Sequence, residues 1–91
     1  MTYFRLTPEE RAALGDRLRM ARDVARPRLT VRAVAEHFDV STNTVHHWEH
    51  GGLPSDEFRP AIAELYGVDE SVLFAEYQDR VDAAREALNL A

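Results

Sequence analysis

Between Thr30 and Gly51 two short apolar stripes stand on either side of a three-residue break. Val31, Val34, Ala35 and Phe38 recur at helical spacing after Thr30, which predicts a short helix. Asp39-Val40-Ser41 interrupts the pattern. Ser41 can then cap a further helix whose inward residues, Val45 and Trp48, lie three apart. The run Gly51-Gly52-Leu53-Pro54-Ser55 stops it. Two short helices joined by a tight turn, the second exposing polar residues opposite a Val/Trp pair, constrain the chain more than any other feature it carries.

The flanking segments read as helices too. Thr7, Pro8 and Glu10 supply an N-cap, a first-position proline and the third residue of a capping box. Leu14, Leu18, Ala21 and Ala25 continue at spacings of three and four until the proline of Ala25-Arg26-Pro27-Arg28. A fourth segment runs from about Ser55 to Tyr66, and Pro60 predicts that its regular part starts only there. Gly67 is a left-handed cap. Asp69 can cap a fifth helix that meets no breaker before the C-terminus. No strand pattern, repeat, low-complexity tract or flexible linker interrupts the chain. The expectation is an all-α, five-helix single domain over residues 1–91, with a core over 1–74 and a helical extension over 75–91.

Charge is unevenly shared. Residues 1–50 carry eight arginines against seven acids and all four histidines, whereas residues 51–91 carry three arginines against nine acids. The net charge of −5 therefore leaves room for a cationic footprint on the first half, because phosphate contact depends on local balance. Every cation among the 11 Lys and Arg residues is arginine, which suits bidentate recognition. The chain has no cysteine, which excludes disulfides and thiolate metal sites. No apolar run approaches the roughly 20 residues of a membrane span, and the first residues lack a basic and apolar leader pattern. These features predict a cytoplasmic protein with no membrane partner.

The stretch LTVRAVAEHFDVSTNTVHHWEHG, residues 29–51, resembles the XRE/Cro family of phage-repressor-like helix-turn-helix domains. Leu29, Thr30, Val34, Ala35, Val40, Ser41, Thr44, Val45, Trp48, Glu49 and Gly51 fall in register with it. The likeness extends back to LGDRLRMAR and forward to Leu53–Phe74. Four departures stand out, one of them the absence from GGLPS of the basic residues that many relatives carry after helix three. Val31 replaces a usual glutamine, Asp39 occupies a turn position usually held by glycine, and the segment between helices one and two is about two residues longer than usual.

With Val45 and Trp48 facing inward, about 100° per residue turns Asn43, His46, His47 and His50 outward as one stripe. The resemblance implies that Thr42, Asn43 and His47 reach base edges in a major groove. It also implies that Ser41, Thr44, His46 and His50, with Thr30 and Arg32 at the start of helix two, touch phosphates or flank the groove. A solvated structural face is the plain alternative for these histidines. His46 and His50 could chelate a metal as an i, i+4 pair, but two ligands do not make a stable site and His37 lies on another helix. HHWEH is not the H-E-x-x-H metalloprotease pattern. Beside Glu49 no nucleophile or oxyanion donor is signalled. No metal, cofactor or enzymatic activity is expected.

The resemblance further implies that Glu49 pairs with Arg22 on helix one, locking helix three with Val45 and Trp48 as structural residues. Beyond residue 74, Leu73, Tyr77, Val81, Ala84 and Leu88 form one stripe. It either folds back on its own domain or forms the seam of a homodimer, which would read a palindromic operator. The function implied is sequence-specific double-stranded DNA binding by a small repressor of phage, prophage or antitoxin type. The alternative is the same fold used as a protein-interaction adaptor, consistent with the acidity, Val31 and the uncharged GGLPS loop.

Overall fold

A computed structural model of the chain describes residues 5–90. The ends of the expected domain, residues 1–4 and 91, lie outside the described residues. Among them are six α-helices and no strand: α1 Pro8–Val24, α2 Val31–Phe38, α3 Thr42–Glu49, α4 Phe58–Tyr66, α5 Glu70–Leu73 and α6 Ala75–Leu90. No helix of the described residues is long and apolar enough to cross a membrane.

The helix starts follow from side chains that satisfy orphan backbone donors. The Glu10 amide donates to Thr7 Oγ1 at 3.1 Å and the Thr7 amide to Glu10 Oε1 at 2.8 Å, so both halves of the capping box are present. Thr30 Oγ1 accepts from the Ala33 amide at 3.0 Å and Ser41 Oγ from the Thr44 amide at 3.1 Å. Asp69 receives the Ser71 amide at 2.9 Å. Between α2 and α3, Asp39 takes the left-handed conformation at φ 55° and ψ 47°. That region tolerates Asp better than a branched residue. The expected regular start of the fourth helix at Pro60 is two residues late. Pro60 lies in the first turn of α4, where no intrahelical donor is needed, and the Ser55 carbonyl accepts from both Phe58 and Arg59.

The expected fifth helix is in fact two. Phe74 breaks it at φ −113° and ψ 41°. Leu73 and Phe74, consecutive in sequence, are both buried in the core. The bend at this point turns α6 back along α1, where Arg17 holds Glu76 through contacts of 2.7 and 2.8 Å and Arg80 holds Glu10 at 2.6 Å. Arg17 lowers the Glu76 carboxyl below its usual range. Glu10 is lowered by the Thr7 amide first and by Arg80 second.

One core cluster joins all the helices before α6. Leu14 and Leu18 of α1 meet Val34 of α2, Val45 and Trp48 of α3, Ile62 and Tyr66 of α4, and Leu73 with Phe74. Phe38, Trp48 and Phe58 form an aromatic junction of α2, α3 and α4, with ring centroids 5.4 to 6.1 Å apart. Each large apolar side chain buried this way contributes about 1.5–3 kcal/mol. Of α6, Tyr77 packs against this cluster. The chain extends 46 × 22 × 21 Å, and from Arg85 to Asn89 every described side chain of α6 is exposed.

Candidate nucleic-acid interface

α3 is held by its inward face at three points. Val45 is fully buried and Trp48 nearly so. Glu49, next in sequence, reaches back to α1. Arg22 Nε donates to Glu49 Oε2 at 2.6 Å and Arg22 Nη2 to Glu49 Oε1 at 3.1 Å, a bidentate fork. The same guanidinium donates through Nη1 to the Leu29 carbonyl at 3.0 Å. One arginine thus ties α1, the longer α1–α2 connection and α3 together. The paired side chains are only 11% and 6% exposed. Tyr66 lies beside them, and burial together with the Glu49 carboxylate raises its phenol pKa well above the ordinary value.

Two glycines let α3 sit this close to α1. A methyl group on Gly15 would stand 2.5 Å from the Glu49 carbonyl oxygen, which is backbone and cannot swing away. At Gly51 the chain adopts φ 97°, and a methyl there would stand 2.8 Å from Arg11 Cβ. The isolated Gly15 inside an apolar helical stripe signals such a contact, since glycine there costs about 1 kcal/mol relative to alanine. Arg11 was not singled out from the sequence. The structure sets it against the loop that follows α3, with its guanidinium on the Leu6 carbonyl at 3.3 Å.

On the outward side, Thr42 and Asn43 are exposed and their side chains make no hydrogen bond to another described residue. His46 is exposed beside them. Ser41 and Thr44 use their hydroxyls on each other at 3.0 Å while Ser41 caps the helix. Thr30 caps α2. Arg32 is exposed and shares Nε with Glu36 at 3.2 Å. The first turns of α2 and α3 contain no acid, unlike those of α1, α5 and α6. The positive ends of these two helix dipoles are therefore not neutralised from within.

His46, His47 and His50 are all exposed, but their rings make different contacts. The His47 ring folds back onto Gly52 and occupies the space where a side chain at that position would begin. His50, the C-cap of α3, donates from Nδ1 to the His46 carbonyl at 2.6 Å. A carbonyl only accepts, so Nδ1 is the donor of this bond. His46 and His50 have ring centroids 6.4 Å apart. His37 lines a separate cleft with Ala61, Glu64 and Leu65. Among the described residues no three His, Cys, Asp or Glu side chains gather as a metal site.

The family model described as a helix-turn-helix domain matches residues 13–74. The chain belongs to this helix-turn-helix family. Neither the curated proteins nor the solved structures contain a match to it. A helix-turn-helix domain implies DNA binding, with α2, the Asp39 turn and α3 as its two helices and turn. The match ends at Phe74, the residue after α5, so α6 lies wholly outside it.

The residues expected along a C-terminal seam part company here. Leu73 is fully buried in the helix-turn-helix core and cannot belong to a seam. The reason is the break at Phe74, which ends the helical period that put Leu73 in line with Tyr77. Tyr77 is half-buried and its ring carries the Arg59 guanidinium 4.1 Å from the centroid. Arg59 itself, missed in the sequence, is buried and donates to the Pro54 carbonyl at 2.8 Å and to Asp56. Val81 and Ala84 are half-covered and Leu88 is exposed.

Proposed function

We propose that the chain is a sequence-specific double-stranded DNA-binding regulator of the XRE/Cro kind. It is a small repressor of phage, prophage or antitoxin type that acts in the cytoplasm by occupying an operator. The observation that carries this reading is the two-sidedness of α3. Val45, Trp48 and the Arg22–Glu49 fork hold one side, while Thr42, Asn43 and His46 stand free on the other. A helix rigidly held by its back presents those groups at a fixed angle to base edges. Asn suits bidentate contact with adenine, and Thr offers a methyl and a hydroxyl. The acid-free N-termini of α2 and α3, with Thr30, Ser41 and Arg32, suit flanking phosphates. His47 and His50, turned toward the C-terminal end of α3, then serve the edge of the groove rather than its floor. A homodimer would place two such helices on the halves of a palindrome.

Selection of bound sequences from a random DNA pool tests the proposal, followed by titration of the selected site at several salt concentrations. The expected result is a defined motif and an affinity that falls linearly on a log–log plot with salt. Asn43→Ala should cost about 1–3 kcal/mol against that motif and relax one base position, with fold stability unchanged. Binding without motif or salt slope would overturn the reading in favour of the protein-interaction adaptor.

A further inference from the structure

Among the described residues, the large apolar side chains left exposed fall in two places. Met20, Val24 and Val72, between 57% and 64% exposed, line one groove; Leu88, at 77%, lies on the free end of α6. The groove, of about 440 Å³, lies between α1 and α5, with Val68 also in its lining. Its lining is mostly apolar, with Asp16 and Arg17 its two charged residues. An unpartnered groove and an unpartnered helix tip on one small chain raise the question of whether they meet.

Within one copy they cannot. α6 runs antiparallel to α1, since Glu76 meets Arg17 and Arg80 meets Glu10. From Glu76 to Leu88 is roughly 18 Å of helix in one direction, and from Arg17 to Val24 is roughly 10 Å in the other, at 1.5 Å per residue. Leu88 and the Val24 end of the groove therefore lie about 28 Å apart. Only another copy brings them together. Charge agrees with the pairing. The exposed flank of the tip carries Asp82 and Glu86 against one cation, Arg85, while the chain around Val24 carries exposed Arg26 and Arg28 against Asp23. Arg26 donates only to the carbonyls of Val24 and Ala25, at 3.0 and 3.2 Å.

We propose that the groove between α1 and α5 receives the α6 tip of a second copy, its Val81, Ala84 and Leu88 stripe lying on Met20, Val24, Val68 and Val72. The exchange is reciprocal about a two-fold axis, so each dimer contains the contact twice and closes at two copies. It rests on the homodimer reading above but replaces an α6-to-α6 seam by a crossed one. Because both partners of the contact lie off α3, the reading face of each copy stays clear.

The absence of native cysteine makes cross-linking a direct test in the full chain. Met20→Cys with Leu88→Cys should form intermolecular disulfide dimers on oxidation, and Leu88→Cys alone should remain monomeric on a denaturing gel. Sedimentation should show a wild-type dimer whose self-association Val72→Asp or Val24→Asp weakens by about 100-fold, through an unpaired charge in an apolar contact. Trp48 fluorescence checks that each variant is folded. A dimer in which Leu88→Cys alone cross-links fully and Val72→Asp changes nothing would overturn the crossed arrangement while leaving the homodimer standing. A wild-type chain that stays monomeric at high concentration would overturn both.

Discussion

Replacing Glu49 with alanine removes one half of the fork that fixes α3 against α1. Arg22 would then keep only the Leu29 carbonyl at 3.0 Å and a long contact to Asp23 at 3.5 Å, in a place where its side chain is 11% exposed. A charge stranded in that way costs about 3–5 kcal/mol. Against a total stability of about 5–15 kcal/mol for a domain of this size, that is a large share. At about 4–8 °C per kcal/mol, the melting temperature should drop by more than about 12 °C. The assay is urea and thermal unfolding followed by the single tryptophan, Trp48, which adjoins Glu49 and packs on Phe38 and Phe58. Arg22→Met with Glu49→Leu should recover to within about 1 kcal/mol of wild type, because an apolar pair of similar volume needs no compensation. The cycle then yields a coupling of several kcal/mol. A Glu49→Ala loss under about 1 kcal/mol, or strictly additive single changes, would refute the argument that this pair locks the helix. Operator binding by the restored double variant separates stability from aim: if the fork sets the angle of α3, affinity falls although the fold is sound.

Gly15→Ala should destabilise the domain by about 1–3 kcal/mol in urea titration, since its methyl meets the backbone of Glu49 and α1 and α3 must separate. Gly52→Ala should leave stability within about 0.5 kcal/mol yet change the DNA motif obtained by selection, because only the exposed His47 ring has to swing out. An unaltered motif would mean that the resting place of His47 is irrelevant to recognition. Acid should loosen α6 before the core. Glu76 and Glu10 are held below their ordinary values by Arg17 and by Thr7 with Arg80. Their stabilisation is therefore complete above the ordinary carboxylate range and is lost as pH falls through the lowered values. Urea midpoints between pH 7 and pH 3 should fall less steeply in Glu76→Gln than in wild type, and equal slopes would assign the acid loss to other carboxylates.

Three helix starts were legible because each depends on residues three apart. Thr7 with Glu10, Thr30 with Ala33 and Ser41 with Thr44 are contacts a reader of the chain can draw without the fold. The inward faces were legible for a similar reason, as a 3.6-residue period survives any arrangement of the helices around it. What escaped is set by contacts far apart in sequence or by rotamers. No glycine or proline marks the break at Phe74. It is fixed by the burial of two adjacent apolar residues and by ion pairs joining residues 17 to 76 and 10 to 80. Carrying one helical period across that break put Leu73 on the α6 stripe, whereas counting afresh from Ala75 leaves Val81, Ala84 and Leu88. His47 was assigned by its angle on the wheel, but its side-chain torsions, free in solution, settle on Gly52 five residues later.

Asn43 and His46 are exposed on α3 as the helical wheel draws them, and the reason is geometric. A helix that buries residues 45 and 48 can still roll by some tens of degrees about its axis, which would be enough to turn Asn43 from the centre of the free face to its border. Glu49 removes that freedom. Its carboxylate must reach Arg22, about 100° around the helix from Trp48, so two directions on the wheel are pinned instead of one. Gly15 pins the third coordinate, the distance between the axes, by letting the Glu49 carbonyl approach where any side chain would hold it off. Roll and separation of the exposed helix are therefore set from α1, a helix that need touch no ligand. Substitutions along Gly15, Arg22 and Glu49 should accordingly alter what Thr42 and Asn43 can reach without removing either of them.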